Sequence, residues 1–364
     1  MTPRERILAV FRGEKTDKVV WQPRIDHWYD VNKALGTLPE RYKGKELLEI
    51  YDDLGASPRT YRFFRDTIRC LQDGEVEVRT RDDGETISTT FVTPKGKLRE
   101  VRKKTVHGAS TYHTEYFIKG VEDLEVLAYV LREQRFEFDR QLYLELVEKF
   151  GERAEPIVNL LWTPFQRLVI EYMGLEKTIL VLWKHREEVE DFIRVMEEND
   201  DKRLRVVKKS PIRIINFADN IHHDLCSPPL FQRYILPYYR RRTRELHEAG
   251  KFCTSHWDGH IKLLLPFIKE TGLDALECVT PKPMGDITLE ELHEALQGMI
   301  LVDGIPANHF LPWVSDQELR AFTLKLLDMF TPRLIAGISD QLSPNGDIEK
   351  VRFVGEIINE YVPP

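Results

Sequence analysis

The sequence predicts an α/β protein built as a (β/α)8 TIM barrel with an inserted β-hairpin region, and three observations carry that reading. After Gly120, short apolar stretches alternate with longer ones of helical period, the pattern of repeated strand–helix units on a parallel sheet. The short stretches end in polar tips: Asp219-Asn220, His256-Trp257-Asp258, Glu277-Cys278, Asp303-Gly304 and Ser339-Asp340. Neither half of the chain turns all-helical or all-β, so a single barrel domain over residues 1–364, with a β-rich insertion at about 70–119, describes it better than two domains.

Taken in order, residues 2–12 begin with Thr2 and Pro3 and gather Ile7, Leu8, Val10 and Phe11 on one side, which is a capped helix stopped by Gly13. Residues 19–24 read as a short buried strand. Arg24, Asp26, His27 and Trp28 lie at or beyond its end, as binding residues or as a salt-bridged loop. Residues 46–54 form a short amphipathic helix ended by Gly55. From about 70 to 119, Val, Thr, Arg and Lys dominate, and turns are signalled at Asp73-Gly74, Asp83-Gly84 and Pro94-Lys95-Gly96. Alternating runs at 75–80 and 111–116 predict antiparallel hairpins wetted on one face, an insertion that lids or flanks the barrel. Helices follow over 123–132 and 139–150, then a strand over 154–161 that leaves through Trp162-Thr163-Pro164-Phe165. A helix starts within 165–173, a long one spans 186–207, and a β-branched strand covers 212–217. Ser227-Pro228 opens a helix whose body spans 231–249, and Gly250 leads into the strand that ends at His256. The apolar run 261–268 reads as the next helix. Strands at 275–279, 299–302 and 333–338 alternate with helices at 289–296 and 348–361.

Bulk properties exclude several function classes. Hydrophobic residues at 42% are ample for a large core, so disorder is excluded. A net charge of −7 and a pI near 6.0 argue against a general nucleic-acid or anionic-membrane binder. No apolar run approaches the ~20 residues of a membrane span, and MTPRERILAVFRGEK has no signal-peptide profile. The expectation is a cytoplasmic protein with neither nucleic-acid nor membrane partners. Cys70, Cys226, Cys253 and Cys278 are widely spread with no C-x-x-C, which indicates neither a disulfide framework nor a zinc ribbon.

In a barrel the strand tips converge on one mouth, here bringing together Arg24, Trp162, Asp219, Asn220, His256, Asp258, Glu277, Cys278, Asp303 and Asp340. Two residues apart on a strand, His256 and Asp258 point the same way. Such a pair can share a divalent cation, or the acid can fix a catalytic imidazole in one tautomer, or the histidine is an ordinary hydrogen-bonded loop residue. Strand alternation turns Cys278 away from Glu277, the position of a small buried apolar residue.

The opening Thr2-Pro3-Arg4-Glu5-Arg6 with Gly13 and Asp17-Lys18-Val19 is followed by Trp162-Thr163-Pro164-Phe165, Asp219-Asn220, and Ser227-Pro228 with Phe231, Pro237 and Tyr238. His256-x-Asp258-Gly259 and Glu277 with Pro281-x-Pro283-x-Gly285-Asp286 complete a set that resembles the uroporphyrinogen decarboxylase-like superfamily over nearly the full length. That superfamily includes zinc-dependent methyltransferases of corrinoid systems. Lys18 stands where the family usually carries Arg. The chain keeps Arg24 in the region where true decarboxylases grip substrate carboxylates, but lacks their second Arg and has no His near Gly337-Ile338-Ser339-Asp340. The methyltransferase branch uses H-x-C and a later Cys as zinc ligands, whereas here Asp258 replaces the first thiolate and no Cys stands at Ser339 or Asp340. A harder ligand set suits an oxygen donor such as an ether.

The resemblance therefore implies a zinc-dependent methyltransferase, the component of an O-demethylase that moves a methyl group from a methoxylated aromatic to the Co(I) of a corrinoid (cobalamin) on a partner protein. In that reading Zn2+ is held by His256, Asp258 and Glu277, with Cys278 or Asp340 as alternative ligands. Asp219, His256 and Glu277 are the catalytic residues, while Arg24, Trp162, Phe165 and Asn220 bind substrate. Homodimerisation is what the resemblance implies for assembly. The alternatives are a uroporphyrinogen-type decarboxylase without a metal, and a non-catalytic binding protein on a degenerate barrel.

Overall fold

Local sequence becomes structure most directly at the N-terminal helix, Pro3–Arg12. The Thr2 hydroxyl accepts from the Glu5 N–H and the Glu5 carboxylate accepts from the Thr2 N–H, a reciprocal cap, and Gly13 ends the helix at φ +71°. The computed structural model describes residues 1–105, 110–160 and 162–362. In chain order its strands are β1 (Val20–Trp21), β2 (Ile68–Gln72), β3 (Glu77–Asp82), β4 (Thr86–Thr93), β5 (Gly96–Lys104), β6 (Thr111–Glu115), β7 (Gln134–Phe138), β8 (Ile157–Leu160), β9 (Ile214–Phe217), β10 (Phe252–His256), β11 (Ala275–Glu277), β12 (Ile300–Pro306) and β13 (Leu334–Ser339). The chain divides into two compact units.

The first unit comprises Met1–Arg65, Tyr143–Leu160 and Ile212–Pro364. It holds a seven-stranded, wholly parallel sheet in the order β8-β9-β10-β11-β12-β13-β1. Among the described residues no eighth strand pairs with this sheet. Residues 56–60 instead bond to both of its edges. Ser57 N–H donates to Trp21 O at 2.8 Å beside β1, and beyond them Thr60 Oγ1 donates to Glu155 O and accepts from the Ile157 N–H that opens β8. Most of the strands contribute their first residues to one apolar cluster: Val20, Ile157, Ile214, Ala275 and Ile300 are buried with Ile335, against Ile7, Val10 and Phe11 of the N-terminal helix. That helix seals the end where the strands begin, leaving the opposite end for polar chemistry.

The second unit, Asp66–Leu142 and Leu161–Pro211, holds the hairpins expected from sequence. β3, β4, β5 and β6 form an antiparallel sheet in chain order, with β3 exposed throughout and Leu98 and Glu100 of β5 buried. Glu100 accepts from Arg102 and lies 3.0 Å from His113 Nε2 across the sheet. β2 pairs with β7 antiparallel, and the long helix Arg186–Lys209 packs by Val189, Phe192, Ile193 and Met196.

The differences from the sequence reading have local causes. The strand expected over 275–279 ends at Glu277, because Cys278 adopts φ +68°. The apolar run at 261–268 forms a 3-10 helix, Lys262–Thr271, with Pro266 inside it, since proline removes a donor the α-helix needs. Asp26–Leu35 is a helix that the sequence reading leaves unassigned; Ile25 at its N-cap offers no side-chain acceptor, so the usual start signal is missing. The last residue of the strand expected over 154–161 lies outside the described residues. No helix among the described residues is long and apolar enough to cross a membrane.

Candidate metal and substrate site at the strand ends

The site grows from the register of neighbouring strands. His256 closes β10 opposite Glu277, which closes β11, and in-register residues on parallel neighbours share a face. His256 Nδ1 accordingly lies 3.6 Å from Glu277 Oε1. Past the ladder the alternation breaks. Cys278 and Asp340, each just past its strand, have φ of +68° and +62°, and Asp303, inside β12 and paired with Ala336 where the sequence reading ended that strand at 302, has φ +83°, a left-handed region that non-glycine residues occupy at a cost of ~1–3 kcal/mol each. The turn at Cys278 brings its sulfur to the site: one ligand atom each from His256, Asp258 and Cys278 falls within 4.8 Å of the others. The Asp340 N–H donates to Cys278 Sγ at 2.8 Å.

Behind this cluster Arg59 crosses the interior of the first unit. Its guanidinium meets Glu277 Oε1 at 2.8 Å and Asp303 Oδ1 at 2.5 Å, with all three side chains buried. Gly337 leaves room for the acid, because a Cβ there would stand 2.2 Å from Asp303 Oδ1. Burial works against the charge on Glu277, but Arg59 and the neighbouring His256 outweigh it and hold the carboxyl below its ordinary value. Burial raises Asp303, with the neighbouring Glu277 charge adding to it. Burial also disfavours the His256 imidazolium, yet Glu277 raises that group above its ordinary value. Asp258 is raised by burial and by Asp340.

Arg24 pairs with Asp340 at 3.0 Å and lies over the Tyr61 ring at 5.2 Å, and its buried Nε has no hydrogen-bond partner. Asp219 is fully buried and accepts from Tyr239 OH at 2.6 Å, which in turn lies 2.7 Å from Ser255 Oγ. Asn220 Oδ1 is buried without a partner. A cavity of ≈ 430 Å³, lined by His27, Asp258, Thr280, Met284, Ser339 and Asp340 among others, opens beside the cluster. That size lies in the range of small-molecule pockets, ~300–1,000 Å³.

The structure thus brings His256, Asp258 and Glu277 together, with Cys278 beside them, and sets Arg24 and Asp340 as a pair. Trp162 and Phe165 fall in the second unit, where Phe165 is fully buried and Trp162 half-buried. Sequence reasoning misses Arg59, which sits in Ser57-Pro58-Arg59-Thr60 with no periodicity or motif to mark it. It also misses Tyr61 and the imidazoles of His222 and His223.

A search of curated proteins finds no match. Among solved structures, a methyltransferase from Methanosarcina mazei superposes with a TM-score of 0.62 at 16% identity over 99% of both chains. A B12-independent methionine synthase from Shewanella sp. W3-18-1 aligns with a TM-score of 0.41 at 12% identity, over 95% of this chain and 97% of the other. The family model described as uroporphyrinogen decarboxylase (URO-D) matches residues 112–361, more than half of the sequence. With the parallel sheet and its polar strand ends, that match shows that the chain belongs to the uroporphyrinogen decarboxylase (URO-D) family.

Proposed function

We propose that the protein is a zinc-dependent methyltransferase that takes the methyl group of an aromatic methyl ether and delivers it to the Co(I) of a corrinoid on a partner protein. The observation that carries this reading is the gathering of an imidazole, a carboxylate and a thiol within 4.8 Å at the strand ends, beside a cavity of ≈ 430 Å³. Nitrogen, oxygen and sulfur donors at that spacing fit zinc, for which three protein ligands and one open position are the usual catalytic arrangement. His256, Asp258 and Cys278 would hold the metal. Glu277, fixed by Arg59, is placed to receive the Nδ1–H of His256 and so leave Nε2 as the ligand atom. Bound there, zinc supplies a Lewis acid for the ether oxygen.

The chain's own residues do the rest. Arg24, whose buried Nε lacks a partner, receives a ring carboxylate or hydroxyl, and Asn220 offers its unpartnered Oδ1. Asp219, held by Tyr239, supports the wall next to them. In the transfer the methyl–oxygen bond would break, the methyl going to the Co(I) acceptor, which supplies the bonding electron pair, while the phenolate would leave with the pair of the broken bond and be protonated by water. Each pK unit removed from the leaving group's basicity is worth up to about 1.4 kcal/mol of barrier. Residues 56–60, bonded to both sheet edges, take the place of the eighth strand in a closed (β/α)8 barrel.

Decarboxylation of a porphyrinogen is the less favoured reading. A substrate with many carboxylates needs several cations, whereas Arg59 is neutralised by Glu277 and Asp303 and Arg24, paired with Asp340, leaves its Nε for a single group. The test is turnover of methoxylated benzoates and phenols by zinc-loaded protein with Co(I) corrinoid. The expected products are methylcobalamin and the phenol in equal amounts, both lost in His256→Ala. Zinc-loaded protein that yields neither across a broad methoxyarene panel would overturn the proposal.

A further inference from the structure

Two loops next to the site carry a second group of ligand atoms. After β9 the chain runs through His222-His223-Asp224, and after β10 it reaches His260. His260 Nδ1 lies 2.9 Å from Asp224 Oδ2, and His223 Nε2 lies 3.9 Å from Asp224 Oδ1. One ligand atom from each of His223, Asp224 and His260 falls within 4.8 Å of the others. At the edge of the group stand His222 Nδ1, 3.6 Å from Asp224 Oδ2, and Asp286 Oδ2, 3.9 Å from His223 Nδ1. None of these residues belongs to the His256 cluster.

The backbone beneath the group is already fixed. His223 N–H donates to His260 O at 2.8 Å, and Asp286 accepts from the N–H groups of Ile261 and Lys262. The rings of His223 and His260 stack at 5.9 Å and 28°. His223 Nδ1 is buried without a hydrogen bond. That nitrogen faces Asp286 and leaves the Nε2 nearer Asp224 as the ring atom turned towards the group. A further His–Cys–Asp group, at the start of β10, lacks that feature: Asp274 there accepts from the Cys253 N–H at 2.7 Å and lies 2.9 Å from His247 Nε2.

We propose that His223, Asp224 and His260 bind a second divalent transition cation, of the class of Zn2+, Co2+ or Ni2+. Two imidazoles and a carboxylate suit these ions, whereas Ca2+ and Mg2+ take oxygen ligands. Ligands each ~2.0–2.2 Å from zinc stand roughly 3.3 Å apart in a tetrahedron, so small side-chain rotations complete the set. His260 and Asp224 are each about half exposed (51% and 55%), which gives the cation an entry path. The ion ties the β9 loop to the segment that carries Asp258, since only Gly259 separates Asp258 from His260, and a Cβ at Gly259 would meet His222 at 3.7 Å.

The test is a Co2+ titration of chelator-stripped, full-length protein, read by bound equivalents and by the visible and near-ultraviolet spectrum. Wild type should bind two equivalents. His223→Ala/His260→Ala should bind one and keep a thiolate-to-cobalt band, while His256→Ala/Cys278→Ser should bind one without that band. Matching melting temperatures of the stripped proteins establish that the variants fold. The half-exposed single variant His260→Gln gives the same reading if the double variant does not. Failure of His256→Ala/Cys278→Ser to bind Co2+, or two equivalents retained in His223→Ala/His260→Ala, overturns the second site. A thiolate band missing from the wild type, with one equivalent still lost in His223→Ala/His260→Ala, leaves the second site standing and removes the first.

Discussion

Arg59 is the side chain on which two buried acids depend. Its guanidinium meets Glu277 and Asp303, and all three are essentially excluded from water. Removing one partner of a buried ionic group typically costs ~3–5 kcal/mol, because the remaining charge is stranded. Arg59→Ala should therefore lower unfolding stability by about that much in urea titration, and Arg59→Ala/Asp303→Asn should recover part of the loss. An Arg59→Ala protein as stable as wild type would show that the three side chains do not act as a unit. At this scale the sequence is least legible. Strand phase pairs His256 with Asp258 in the sequence reading, and the family resemblance adds Glu277, although β10 itself ends at His256. Cys278 defeats the same logic, because alternation holds only while the residue stays in the strand, and its φ of +68° does not.

At the scale of elements, legibility follows how local the cause is. The helix Pro3–Arg12 is written in Thr2, Pro3, Glu5 and Gly13, and Leu289–Leu296 in the reciprocal Thr288–Glu291 cap. Asp26–Leu35 escapes because packing, not a cap, holds it: Trp28, Tyr29 and Val31 are buried. The helix Leu47–Asp53 is tied to the C-terminal helix Ile348–Glu360 by charges. Asp53 accepts from Tyr42 OH at 2.7 Å, from Arg41 at 3.0 Å and from Arg352 at 2.6 Å. Partial burial pushes the Asp53 carboxyl up, but these donors win and hold it at about 2. A depressed folded-state pKa contributes stability above the unfolded value, near 3.9, that is lost as pH falls through the folded one. Asp53→Asn should thus be less stable than wild type at pH 7, by ~1 kcal/mol once solvent screening is allowed for. The gap should close between about pH 4 and pH 2. Denaturation at a series of pH values measures it, and a pH-independent gap would contradict the assignment.

For the whole molecule, the division of labour within the first unit explains why its architecture is easier to read than its chemistry. One end of the sheet is apolar and closed by Ile7, Val10 and Phe11, so hydrophobic periodicity reports it well. The other end depends on side chains that meet only after folding, from His256 to Arg59, which are nearly 200 positions apart in the chain. Periodicity carries no record of such meetings. The ligand set is where the account is most exposed, because it requires sulfur from a residue that strand alternation turns away. Zinc K-edge absorption of the His223→Ala/His260→Ala protein loaded with one equivalent of Zn2+ tests it most directly. The account predicts one sulfur at about 2.3 Å with nitrogen and oxygen at ~2.0–2.2 Å, and loss of the sulfur in added Cys278→Ser. A shell of nitrogen and oxygen alone, unchanged by Cys278→Ser, would contradict it.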